Sequence, residues 1–174
     1  MKRQFRRSMV GAVVCALIGA GAARPEEPSG ATRVFERLGS LVGEWSGAQS
    51  GTAFQVTYEI TADGSALMER FSPAGGAMMV TMFTVDGDHL IATHYCSARN
   101  QPQMATERIV DPRAKSVSFS LVRITGLNSP GEWHNTALVL TLEDSDHLTQ
   151  EWTYSSRGET GTTVFHLTRE RHEP

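Results

Sequence analysis

From Gly43 onward the chain is a succession of short segments in which apolar and polar residues alternate. They are rich in Val, Thr, Ile, Phe and Tyr, with turn chemistry about every ten residues. A period of two marks strands with one buried face, and short strands at this spacing predict an antiparallel barrel or sandwich. The pattern predicts ten strands, over 44–48, 53–61, 66–72, 78–86, 89–97, 103–110, 115–125, 134–143, 147–156 and 162–170. No second domain or low-complexity stretch interrupts them, and the hairpin itself is the one repeat.

The connections divide into two kinds. Ala62-Asp-Gly-Ser65, Asp86-Gly-Asp88, Asp111-Pro-Arg-Ala114 and Asp144-Ser-Asp146 are short and acidic, two of them with the Asp-Gly of tight hairpins. The alternate connections, Ala48–Thr52, Ser72–Ala77, Ser97–Gln103, Gly126–Trp133 and Ser155–Gly161, are richer in Gly, Pro, Ser and Asn. In an up-and-down barrel the two kinds fall at opposite ends, which predicts a closed floor and an open mouth. Ahead of the strands, Val34, Phe35, Leu38, Leu41 and Val42 recur at helical spacing, so a short amphipathic helix is expected to plug the floor.

The N-terminus reads differently. Met1–Ser8 carries four basic residues and no acidic one, Met9–Ala23 is apolar, and its exit is made of small residues. This is the pattern of a secretory signal peptide, over residues 1–23, too short to span a bilayer comfortably. It implies a periplasmic or secreted protein with no stable membrane span after cleavage. A Pro- and Glu-rich lead-in (24–30) and one barrel domain (31–174) would follow. The chain's 16 basic residues include four in the leader, leaving 12 against 19 acidic and a net charge near −7. With no basic run and no basic–aromatic stripe, a nucleic-acid partner is not expected. Loss of Cys15 leaves Cys96 without an intramolecular partner, so a core rather than a disulfide must hold the fold.

Gly43-Glu-Trp45, opening the first strand just after a short helix, resembles the Gly-x-Trp signature of the calycins, the superfamily of lipocalins and fatty-acid-binding proteins. The resemblance implies an arginine near the end of the last strand that packs over Trp45 at the closed end, and Arg169 or Arg171 stands there. Ten strands are similar to the count in fatty-acid-binding proteins and nitrobindins. The overall likeness is to uncharacterised secreted bacterial barrels of this type, for which no reaction is established.

Hairpin pairing assigns the faces, because residues opposite one another share one. A turn at Asp63-Gly64 pairs Ile60 with Leu67, Tyr58 with Glu69 and Val56 with Phe71, and this apolar set points inward. The 142–148 turn pairs Leu142 with Leu148, Leu140 with Gln150 and Leu138 with Trp152. In the central hairpin both faces are apolar. The set Met79, Thr81, Phe83, Val85 with Leu90, Ala92, His94, Cys96 is taken as inward, because the small Thr81 and Ala92 would leave a cavity beneath His94. An inward Glu69 needs a partner, and a hydrogen bond to Tyr58 is the simplest.

The segment from His89 to Met104, running from strand to mouth loop, gathers the polar and soft groups a binding site would use. Tyr58, Glu69, Thr81, His94, Asn100, Met104, Gln150 and Trp152 are the candidate ligand-binding residues. The ligand expected is a small hydrophobic or amphipathic molecule in a wall that includes Val56, Leu67, Phe71, Met79, Phe83, Leu140 and Phe165. The competing reading is that these side chains simply fill the lumen. No metal site and no cofactor are expected on this reading. A second reading follows from the nitrobindin likeness, which implies haem on an axial histidine late in the chain, His166 by position or His94. A third is an enzyme using His94 and neighbouring polar residues. His94 and Cys96, two apart on one strand, lie side by side rather than in attack geometry, and no carboxylate is evidently placed to orient His94.

Overall fold

The computed structural model describes residues 27–171. The signal-peptide segment, the first residues of the lead-in and His172 lie outside them. Among the described residues ten strands form one closed antiparallel barrel, each paired with its sequence neighbours. They are β1 (Gly43–Gln49), β2 (Thr52–Thr61), β3 (Ala66–Pro73), β4 (Met79–Asp86), β5 (His89–Tyr95), β6 (Gln101–Ala105), β7 (Ser116–Thr125), β8 (His134–Leu142), β9 (His147–Ser156) and β10 (Glu159–Arg169). β1 closes the sheet on β10 through Trp45 opposite Arg169 and Ser46 opposite Thr168.

The one α-helix among the described residues, α1 (Gly30–Leu38), starts at Gly30, within the stretch expected to be lead-in. Ser29 caps it, its hydroxyl accepting from the Thr32 N–H, one of the donors a helix start leaves unpaired. Its inner face buries Ala31, Val34, Phe35 and Leu38 against the core. Arg37 donates to the carbonyls of Pro112 and Ala114, and Ser29 to that of Gly87, so α1 closes the end carrying the acidic turns. A tight turn, Gly39–Leu41, then releases the chain into extended Val42, which is exposed rather than part of the apolar face.

Strand pairings follow the turns. Ile60 faces Leu67, Tyr58 faces Glu69 and Val56 faces Phe71, while Leu140 faces Gln150 and Leu138 faces Trp152. Thr81, Phe83, Ala92 and His94 all point inward. Ile60 keeps its partner but is exposed, since it stands at the floor rim beside Gly39.

Loop lengths depart from the expected contrast. Ser50-Gly51 and Arg157-Gly158 each supply two consecutive left-handed residues, the requirement of a two-residue hairpin turn, so two mouth connections are tight. At the floor, β6 ends at Ala105 instead of residue 110. The Thr106 N–H donates to the Leu90 carbonyl, its hydroxyl accepts from the Leu90 N–H, and the Ile109 N–H donates to the Asp88 carbonyl. The chain then packs against Gly30, where a Cβ would lie 2.3 Å from the Ile109 carbonyl oxygen. The strand is thus drawn off its ladder to receive the helix.

Candidate ligand-binding site

The floor half of the lumen is lined by large apolar side chains closed off from solvent. Val56, Leu67, Phe83, Leu90, Phe119, Leu138 and Leu140 are buried there without lining the cavity nearer the mouth. Thr81 and Ala92, the small residues beneath His94, are fully buried beside Phe83 and Met104. The cavity lies toward the mouth instead, with a volume of about 180 Å³. Its walls are Phe71, Met79, Trp152, Phe165, Trp133 and Tyr154, with Glu69, His94, Cys96, Ser97, Asn135 and Thr163 as the polar members.

Six of the eight candidate residues form one hydrogen-bonded network at its base. The Tyr58 hydroxyl donates to Glu69 Oε2 at 2.6 Å, and Gln150 Nε2 reaches both groups at 2.6 Å. Trp152 Nε1 donates to Gln150 Oε1 at 2.8 Å. On the other carboxylate oxygen, Thr81 Oγ1 donates to Glu69 Oε1 at 3.1 Å and lies 2.9 Å from His94 Nδ1. The His94 and Trp152 rings meet at 4.7 Å. Glu69, His94 and Trp152 line the cavity, while Tyr58 and Thr81, their cross-strand neighbours, and Gln150 stay out of it and hold them. Contrary to the sequence expectation, a carboxylate does orient His94, with the Thr81 hydroxyl between them.

Asn100 and Met104 do not line the cavity. The Asn100 side chain turns to the mouth loops, donating through Nδ2 to the Trp133 carbonyl at 2.7 Å. It anchors the loop carrying Trp133, whose ring stacks on Tyr154 at 5.5 Å. Met104 is buried opposite Ala92 and fills the floor side. Sequence reasoning missed Trp133, Tyr154, Asn135 and Thr163. Tyr154 and Thr163 share the parity of Trp152 and Phe165, a usable signal. Asn135 had none, because a register shift between Asn135 and Ala137 turns it inward against the parity of Leu138 and Leu140.

Burial governs the site's electrostatics. Desolvation raises the Glu69 pKa, opposed by the hydrogen bonds from Tyr58, Gln150 and Thr81. Tyr58 is raised well above its ordinary value, first by burial and then by Glu69. Burial lowers His94 to about 4, so its imidazole is neutral at physiological pH. Its Nε2 has no hydrogen bond among the described residues. His166 is exposed on the outer wall beside Thr149. The cavity is smaller than the roughly 300–1,000 Å³ of drug- and cofactor-sized sites. No group of three or more His, Cys, Asp or Glu among the described residues is arranged to hold a metal.

At the opposite end, the Arg169 guanidinium lies 4.2 Å over the Trp45 ring and donates to the carbonyls of Ser145, Val42 and Ser40. Gly43 has φ +127°, and a Cβ there would meet Arg169 Nη1 at 3.2 Å. The glycine is therefore required both by the backbone and by the arginine.

Compared by sequence, the chain matches no protein family and no curated protein. Solved structures do share its barrel. Rv2717c from M. tuberculosis superposes with a TM-score of 0.53 at 14% identity, over 79% of this chain and 98% of that one. A protein of unknown function from the DUF3598 family of Nostoc punctiforme superposes with a TM-score of 0.50 at 16% identity, over 76% of this chain. The matched part is 49% of that protein, so this chain corresponds to about half of it. Likeness at such identities establishes the fold alone. No helix among the described residues is long and apolar enough to cross a membrane.

Proposed function

We propose that this protein is an exported calycin-like barrel that holds one small apolar or amphipathic molecule in its mouth-end cavity. The carrying observation is the division of the lumen, with large apolar side chains fully buried toward the floor and open space toward the mouth. A filled barrel would have continued its layers to the mouth. Instead, Phe71, Met79, Trp152 and Phe165 border open space, and the polar groups of Glu69, His94 and Asn135 border it with them. That is the composition of a site that encloses an apolar body and fixes it by a few directional contacts. An engineered cavity of about 150 Å³ holds benzene, so this one suits a single ring with a short substituent. Export rests on the basic, apolar and small-residue sequence of residues 1–23.

Native mass spectrometry of protein purified from its own host tests the proposal. The expected spectrum has a non-covalent adduct of small-molecule mass, lost in a Trp152→Ala variant that remains folded. An adduct-free native protein that also takes up no single-ring probe would contradict it.

A further inference from the structure

We propose that the guest is an organic cation with an N–H to donate, a protonated amine carried on one aromatic ring or an apolar group of that size. This rests on the cavity reading above and adds the sign of the guest's charge.

The direction of the bonds that run through Gln150 can be deduced. The Trp152 indole N–H can only donate, so Gln150 turns its carbonyl to Trp152 and its NH₂ to Glu69 and Tyr58. The Tyr58 oxygen, accepting from Gln150, gives its own proton to Glu69. Thr81 donates to the other carboxylate oxygen. Tyr58 and Gln150 thus both donate to Glu69 Oε2, and an ionised Glu69 takes Thr81 as a third donor, the arrangement that stabilises a carboxylate. Among the described residues, however, no arginine, lysine or histidine forms an ion pair with Glu69. It is 1% exposed and borders the cavity. A buried charge with no counter-charge is costly, and a cation in the cavity would supply one.

Two further features select the same guest. The single Thr81 hydrogen goes to Glu69, so the Thr81–His94 contact requires Nδ1–H of His94 to donate to Thr81. The free Nε2 then offers a lone pair, an acceptor for a guest N–H. The remaining walls include the rings of Trp152, Tyr154 and Phe165, whose π faces attract cations. If Glu69 were protonated the relay would reverse, with Glu69 donating to Thr81, Thr81 to Nδ1, and Nε2 carrying the hydrogen. Amine binding is thus linked to Glu69 ionisation through the imidazole tautomer. Lowering the pH should weaken the amine alone, by protonating Glu69, since burial keeps His94 neutral to about pH 4. The titratable groups facing this cluster are Tyr58 below and Cys96 and Tyr154 on the cavity walls.

Titration calorimetry with 2-phenylethylamine and its neutral isostere 2-phenylethanol tests the inference, on the wild type and on Glu69→Gln at neutral pH. The carboxamide of that variant can donate to Thr81 and accept from Tyr58 and Gln150, so the network stays satisfied and the variant should fold. The wild type should prefer the amine by roughly tenfold, which is about 1.4 kcal/mol of charge and cation–π attraction. Glu69→Gln should abolish that preference while retaining the alcohol. Nitrogen-15 NMR should find the His94 proton on Nδ1 in the wild type and on Nε2 in the variant. Equal affinities in the wild type, or a preference for the alcohol, would overturn the charge assignment and leave the cavity reading intact. Binding of neither probe would overturn both. If the variant does not fold, the wild type decides alone: a preference for the amine over the alcohol supports the assignment, and equal affinities overturn it.

Discussion

His94 is the residue on which environment acts most visibly. In the unfolded chain it titrates near 6.5, and in the folded barrel burial holds it to about 4. Above pH 6.5 it is neutral in both states and has no effect on stability. Between pH 6.5 and about 4 the unfolded chain binds a proton that the folded one refuses, so acid favours unfolding. At about 1.36 kcal/mol per pH unit the difference is on the order of 3 kcal/mol. Glu69 acts in the opposite sense, since its raised pKa stabilises the fold at low pH and is lost as pH rises through the folded value. Urea unfolding followed from pH 7 to pH 4 separates them. His94→Gln should lose less stability on acidification than the wild type, and Glu69→Gln should lose more. The reverse order would mean that neither group is buried as described.

At the scale of elements, the seam between β1 and β10 is the weak join, with few paired residues, and Arg169 laces it. Its guanidinium crosses from β10 to the carbonyls of Ser40 and Val42 while covering Trp45. Arg169→Met should lower stability by about 3 kcal/mol in chemical denaturation. Arg169→Lys should recover only part, because an ammonium lacks the planar fork. At the mouth, Asn100→Ala should free the Trp133 loop from the β5–β6 connection and shift the Trp133 fluorescence, with a stability loss of about 1 kcal/mol. An unchanged emission spectrum would show that Asn100 does not anchor that loop.

These elements also explain what the sequence could and could not tell. Short turns set the β2–β3 and β8–β9 registers, so the Tyr58–Glu69 and Leu138–Trp152 pairs were readable from parity. The β3–β4 connection is loose and sets no register, which hid the Glu69–Thr81 contact and with it the route from carboxylate to His94. The bulge before Ala137 carries no pattern, so Asn135 could not be placed. Asn100 and Met104 were grouped with the site by nearness in sequence, but the turn at Cys96–Asn100 and the pairing with Ala92 direct them elsewhere.

The described residues form one closed sheet, filled asymmetrically. The floor is covered by α1, sealed by Trp45 under Arg169 and packed by branched and aromatic side chains up to Thr81. Above that level the rings stand apart around a buried carboxylate and a neutral imidazole. Xenon occupies genuine apolar cavities without needing any specific contact, so a crystal structure under xenon pressure tests this division directly, whatever the natural guest. The predicted result is a single strong peak bounded by Phe71, Met79, Trp152 and Phe165. A peak among Leu67, Phe83 and Leu138, or a lumen that admits no xenon, would contradict it.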